Sequence, residues 1–391
     1  VEEDMKNITF NGDRLKKARI YNGYTIKEVA DGVECSRQAI STYENGKELN
    51  PDLGIIKRLA DFLKFPLSFF YEQSLDYEGE SKSVYFRSQL TTKPRYRKQQ
   101  VAKIAIVATI YDFVSQYIDF NSPELPKLSN SNEPETLAAE LRHHWRLGEK
   151  PIENIVHIVE GKGIIVNEFT SDTTAIDACS HMVDLNGSGR FLIGYSSNNL
   201  SASRIHFDVA HELGHIFMHE FTEDVEALSK EEFREREREA HSFASAFLLP
   251  KESFLNDLYS VPFSIPGYTR LKMKWNVSIA AMVRRAYDLG AIPYDDYQKM
   301  MMTLAKRGLR KDEPLDAELI TSSPSLLKSA VKMLLDENIF TSREFIDELS
   351  YSHSLTLFPS MIEELLNLPE GTLSSSGSSH HLKLIKGNSP N

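Results

Sequence analysis

Cysteine is scarce. Cys35 and Cys179 are the only two in 391 residues, they lie far apart, and neither belongs to a CxxC pair. That pattern excludes a disulfide framework and a cysteine-based zinc site, and it points to a reducing compartment. Long hydrophobic runs are missing as well. The most apolar stretch, Ile104 to Ile110 with its flanks, is broken by Lys103 and Asp112. It is too short to cross a bilayer and is expected to form a buried helix, with no membrane partner. The first residues, Val1-Glu2-Glu3-Asp4, are acidic, whereas a secretory leader opens with positive charge. A cytoplasmic location is therefore expected. Nor is there a surplus of positive charge: 45 Lys and Arg face 56 Asp and Glu, a net of −11. Nucleic-acid binding by the whole surface is excluded, although a small basic module on an acidic body is not.

What is present is an ordinary globular composition, 41% hydrophobic and 26% charged, long enough for two or three domains. The fold class expected is mainly α with a small β-sheet (α+β). Short capped helices fill residues 8–72. Residues 73–134 read as a basic linker and a connecting helix; Lys82 to Lys103 holds seven Lys/Arg and no Asp/Glu. The bland reading is a solvated connector, and the sharper one is added phosphate contact. A central domain is expected at 135–255. It has strands at Ile164–Val166, Ala178–Val183 and Phe191–Tyr195, a hairpin signal at Asn186-Gly187, and main helices at about 202–220 and 231–248. Residues 256–372 are helical by periodicity. The Ser/Gly-rich tail, 373–391, is expected to be disordered. No internal repeat is seen.

The chemistry concentrates at His211-Glu212-Leu213-Gly214-His215. On a helix, His211 and His215 at i and i+4 share one face a turn apart, where two imidazoles can hold one tetrahedral ion. Glu212 is offset by about 100° and can reach a water beside that ion. Zinc makes such a water acidic near neutral pH, and the glutamate takes its proton as it attacks a carbonyl. A catalytic zinc needs a third protein ligand and an open position. The extended motif with a third His six residues on is absent, because that position is Phe221. His219 continues the stripe and reads as a surface histidine. The second helix offers Glu235, Glu237 and Glu239. Glu237, three before Ala240 and six before Phe243, lies near the apolar side; Glu239 is the alternative and His241 a weaker one. For oxyanion stabilisation the candidates are His206, Tyr195 and His181.

The stretch from Arg204 through Phe207 and Ala210 to His215 resembles the ImmA/IrrE family of metallopeptidases. So does the later run Glu237-x-x-Ala240-His241-x-Phe243-Ala244, ending Leu248-Leu249-Pro250. The resemblance implies that His211, His215 and Glu237 are zinc ligands and Glu212 the catalytic base, in a zinc metallopeptidase domain at 135–255. Asp208 and His241 depart from the family's usual Thr and Asn. Residues Arg14 to Phe70 resemble the Xre/Cro-type helix-turn-helix family, carried by Thr25-Ile26-Lys27-Glu28-Val29-Ala30 and by Ser36 to Lys47. The helix from Arg37 would present Arg37, Gln38, Ser41 and Thr42 to base edges, with Lys27 and Lys47 on phosphates. Ten basic against eight acidic residues from Asp13 to Lys64 make a weak single module. A homodimer on a two-half-site operator in double-stranded DNA is therefore expected. Together these features predict a DNA-binding, zinc-dependent endopeptidase of transcriptional, stress or mobile-element regulation whose protein substrate is a repressor. The alternative is a regulator whose zinc domain senses a signal without proteolysis.

Overall fold

In the computed structural model the described residues are 9–47, 51–73, 84–86, 94–169, 178–185, 188–196, 201–219 and 228–374. The fold is mainly α with one small sheet, as the periodicity implies. Four helices open it: α1 (Gly12–Tyr21), α2 (Ile26–Gly32), α3 (Arg37–Glu44) and α4 (Leu53–Leu63), followed by a 3-10 turn, Leu67–Tyr71. Strand β1 (Val84–Phe86) and the long helix α5 (Pro94–Ser115) come next. The region expected to be a plain linker thus contains a strand; three residues are too few for a period to show. Helices α6 (Pro134–His144) and α7 (Ile155–Gly161) lead into β2 (Ile165–Phe169), β3 (Ala178–Leu185) and β4 (Ser188–Ser196). Asn186-Gly187 lies outside the described residues, but the strands flanking it pair antiparallel up to Leu185 and Ser188. Two long helices follow, α8 (Ala202–Met218) and α9 (Lys230–Leu248).

The remaining helices are α10 (Lys251–Tyr259), α11 (Ile265–Trp275), α12 (Ile279–Asp288), α13 (Tyr294–Lys306), α14 (Leu326–Asp336), α15 (Ser342–His353) and α16 (Pro359–Leu365). All but a few residues of the tail expected to be disordered, 375–391, lie outside the described residues. Among the described residues, no helix is long and apolar enough to cross a membrane.

The sheet has strand order β1-β3-β4-β2, with β2 parallel to β4 and the other pairs antiparallel. Because side chains alternate along a strand, the sheet has two inner faces. Val166, Ala178, Ile193 and Tyr195 join the core built by α6 to α13. Ile165, Phe169, Cys179, Val183 and Leu192 join a second core, shared by α1 to α4, α5 and α14 to α16. The sheet is therefore sandwiched between α5 and α8, and the helices after residue 325 pack with the N-terminal ones. Arg14, wholly buried, ties this second core together. It stacks on Phe69 at 4.8 Å and donates to the carbonyls of Gln73 and Ser354. Glu72 in turn accepts from the Thr356 amide at 2.9 Å.

On the other side, a buried polar cluster fixes α8 to the segment after α13. The Asn276 amide donates to His206 Nε2 at 3.3 Å, Thr321 Oγ1 lies 3.2 Å from the same nitrogen, and Ser203 Oγ reaches Asn276 at 3.2 Å. Lys272 sits between Glu313 and Asp316 at 2.8 and 2.6 Å, and Glu313 also accepts the first amides of α12. Burial lowers the His206 pKa from 6.5 to about 4. The unfolded chain therefore binds a proton below pH 6.5 that the native chain refuses. The stability linked to His206 is complete above pH 6.5, shrinks as pH falls, and is gone once pH passes below about 4. By linkage the loss between pH 7 and 4 is about 3 kcal/mol. Urea unfolding of wild type and His206→Gln should show their stability difference falling by about that much over this range. A difference that does not change with pH would contradict it.

Candidate metal and nucleic-acid sites

Helix α8 is buried along nearly its whole length, from Ala202 to Ile216. It can be, because its buried polar side chains find partners on several sides: Glu212 meets Ser180 of β3, His211 and His215 meet Glu237 of α9, and His206 meets Asn276 and Thr321. Gly214 sets the approach of the two helices. A Cβ added there would lie 2.9 Å from Ala240 Cα and 3.0 Å from the Ala240 carbonyl oxygen, closer than such atoms pack. With glycine on one helix and alanine on the other, the backbones come near enough for a short side chain on α9 to reach α8. Helix α9 starts at a capping box made by Ser229 and Glu232, which satisfies its first amides.

Three polar side chains meet across this contact. His211 Nε2 and His215 Nε2 are 3.1 Å apart, and Glu237 presents one oxygen 3.4 Å from His211 and the other 3.2 Å from His215. His211 and His215 are buried and Glu237 partly so. Donors held at about 2.0–2.1 Å around a tetrahedral ion stand roughly 3.3 Å from one another, which is the spacing found here. Two imidazole nitrogens and one carboxylate suit a borderline cation such as zinc and leave a fourth position open. Among the described residues this is the group of three or more His, Cys, Asp and Glu side chains placed to hold a metal. Burial opposes ionisation of Glu237, but hydrogen bonds from both histidines outweigh it and bring its pKa to about 2.

Glu239, the alternative from sequence, is not in this group. It lies 3.1 Å from His219 Nε2, and His219 Nδ1 lies 3.0 Å from His215 Nδ1. His219 is thus no surface residue: only 4% of its side chain is exposed. Burial, and next the charge of His215, push its pKa far below 6.5. The helical stripe misled because α8 ends at Met218 and His219 is extended, at φ −121 and ψ 149. His241 is exposed, its ring 4.7 Å from that of Phe207 and 6.1 Å from that of His211.

Glu212 is fully buried and accepts a hydrogen bond from Ser180 Oγ at 2.6 Å. Sequence reasoning passed over Ser180; the only signal was its alternation with Ala178 along a strand. The oxyanion candidates are engaged elsewhere. His206 bonds Asn276 and Thr321 as described, and Tyr195 Oη lies 3.4 Å from Glu168. His181, next to Ser180 on β3, takes the opposite face by strand alternation.

In the N-terminal unit, Thr25 and Glu28 form a capping box for α2, and Ser36 caps α3 by accepting the Ala39 amide. The Arg19 guanidinium donates to both oxygens of Glu44, at 2.5 and 2.8 Å, and so locks α1 to the end of α3. Ile40 turns inward, wholly buried. Lys27, Arg37, Gln38 and Lys47 are exposed, while Ser41 and Thr42 are half-buried on the same helix. The basic start of α5 lies against this unit, with Arg95 3.5 Å from Glu28.

Comparison with family models assigns residues 159–287 to the IrrE N-terminal-like domain, a peptidase family, and residues 15–70 to a helix-turn-helix family. A search of curated proteins finds no match. The matched segments contain the three-donor group, Glu212 and the exposed face of α3. The first supports a metallopeptidase-like domain and the second a DNA-binding one.

Proposed function

We propose that this chain, which has the architecture of the ImmA/IrrE family with an N-terminal helix-turn-helix, is a zinc-dependent endopeptidase that regulates transcription. Its substrate is a repressor protein in a stress or mobile-element response. The observation that carries the reading is the convergence of His211, His215 and Glu237 within 4.8 Å of one another, beside the buried Glu212. In this reading the three side chains hold the zinc and Glu212 is the general base. The zinc, when bound, supplies Lewis acidity to a peptide carbonyl and to a water.

The protein's own groups do the rest. Glu212 takes the water's proton as the peptide bond is attacked and returns it to the leaving amine. Ser180, donating to one Glu212 oxygen at 2.6 Å, fixes the direction of the carboxylate. His215 is held by a chain of bonds whose hydrogens follow from the partners. Glu239 can only accept while ionised, so His219 donates from Nε2. His219 Nδ1 can then accept from His215 Nδ1, and with a metal bound the lone pair of His215 Nε2 would face the ion in place of the hydrogen bond that this nitrogen gives Glu237. Such outer partners fix tautomer and direction at metal sites.

The DNA end of the reading places Arg37, Gln38, Ser41 and Thr42 against base edges and Lys27 and Lys47 against phosphates, in a homodimer on a two-half-site operator. Arg suits guanine and Gln suits adenine in the major groove. The helix-turn-helix would deliver the peptidase to DNA-bound substrates.

Glu212→Gln separates proteolysis from sensing. New protein termini generated by the wild type in cell extract, read by mass spectrometry, should fall about 100-fold or more in the variant, with zinc and DNA binding unchanged. Cleavage that survives the change would remove Glu212 from its role as the base, whereas a wild type that generates no new termini would favour a zinc sensor without proteolysis. For DNA, duplexes selected from a random library should bind Arg37→Ala or Gln38→Ala about 10- to 100-fold more weakly, with relaxed sequence preference at one position. Lys47→Ala should weaken all sequences alike and lower the salt dependence by about one charge. Equal loss of preference in all three variants would contradict the assignment.

A further inference from the structure

Strand β1 pairs with the strand whose Ser180 touches the candidate base. It comes from the segment between the helix-turn-helix and α5, yet it completes the sheet of the other half of the chain. Its register opposite β3 is Val84 to His181, Tyr85 to Ser180 and Phe86 to Cys179, antiparallel. Ser180 is the residue whose hydroxyl holds Glu212 at 2.6 Å. The backbone at Tyr85 is therefore one inter-strand spacing, about 5 Å, from the strand that touches the candidate base. The far edge of the sheet is different. There β2 pairs parallel with β4, and Asn167 bonds the Leu365 carbonyl of α16 at 3.1 Å. Only the β3 edge lies beside Glu212.

An open strand edge offers a row of backbone donors and acceptors to an extended peptide. We propose that the β1-facing edge of β3 is the peptide track of this site, and that Val84–Phe86 fill it as an internal occupant which an extended protein segment must displace. The inference rests on the peptidase reading of the site. The chemistry of the occupant fits. Valine, tyrosine and phenylalanine favour extended backbone, and the flanking Lys82 and Arg87 are charged. Over the described residues the pairing is three residues long, shorter than the eight-residue β3 that a longer partner could pair with. It is also tethered, since the 3-10 turn ends at Tyr71 and α5 begins at Pro94. Short tethers keep a weak segment at high local concentration. A folded passer-by offers no extended backbone and cannot compete. A substrate that presents an exposed, extended stretch can. The same segment ties the site to the helix-turn-helix, whose last turn is where the tether starts.

The test uses the full chain with a chelator present, so that nothing is hydrolysed, and a fluorescein-labelled peptide with the sequence Ser81 to Leu90. Two variants displace the strand, Val84→Pro/Phe86→Pro and Tyr85→Pro, because proline neither donates to a ladder nor fits one. Hydrogen exchange should find the outer amides of β3 protected in the unmodified protein. They should exchange at least tenfold faster in the variants, with α8 unchanged, and regain protection when the peptide is added. The peptide should bind the variants at least tenfold more tightly than it binds the wild type. Rapid exchange at the β3 edge of the unmodified protein would overturn the proposal without any variant. Equal peptide binding by wild type and variants, or none by either, would overturn it too. These readouts involve no hydrolysis, so their failure leaves the peptidase reading standing, and a failed cleavage assay leaves them unaffected.

Discussion

The close contact of α8 and α9 at Gly214 and Ala240 is the constraint on which the site depends. Neither helix holds three convergent donors by itself. His211 and His215 are paired by helical geometry alone, being four residues apart. Glu237 joins them because no side chain at position 214 keeps α9 away. The cost of bringing these polar groups out of water is met locally. The carboxylate meets both imidazoles, His215 is backed by His219 and Glu239, and Glu212 is backed by Ser180. A bulkier residue at 214 would have to push α9 outward and carry Glu237 with it.

The motif on α8 was legible because it is local: a turn of helix places both histidines whatever the tertiary fold. The third donor was harder. Glu235, Glu237 and Glu239 look alike as charges, and only their angle to Ala240 and Phe243 separates them. In the structure the last two take different positions, one within the three-donor group and one behind His219. His219 itself was misread because an i+4 stripe assumes the helix continues, and it stops one residue earlier. For Ser180 period gave only the face it shares with Ala178, and β1 could not be found by period at all. Ser180 acts through a contact 32 residues away in sequence, and a three-residue strand has too few residues to alternate.

The same holds for the packing of the C-terminal helices. Periodicity identifies them as helices, but not their partners. Leu327, Val331 and Leu334 of α14 join the core of the helix-turn-helix and α5, not that of α8 and α9. Arg14 and Glu72 seal this union through Ser354 and Thr356. The N-terminal unit is consequently held to the rest of the protein by a core, and the sheet between α5 and α8 carries side chains of both cores on its two faces.

The most direct test of the account is the zinc content of the purified protein by mass spectrometry, for wild type beside His215→Ala and Gly214→Leu. The account predicts about one zinc per chain in the wild type. It predicts little or none in either variant, the first having lost a donor and the second the helix approach that brings Glu237 into place. A wild type that takes up no metal even when zinc is supplied would contradict it, as would full occupancy in both variants.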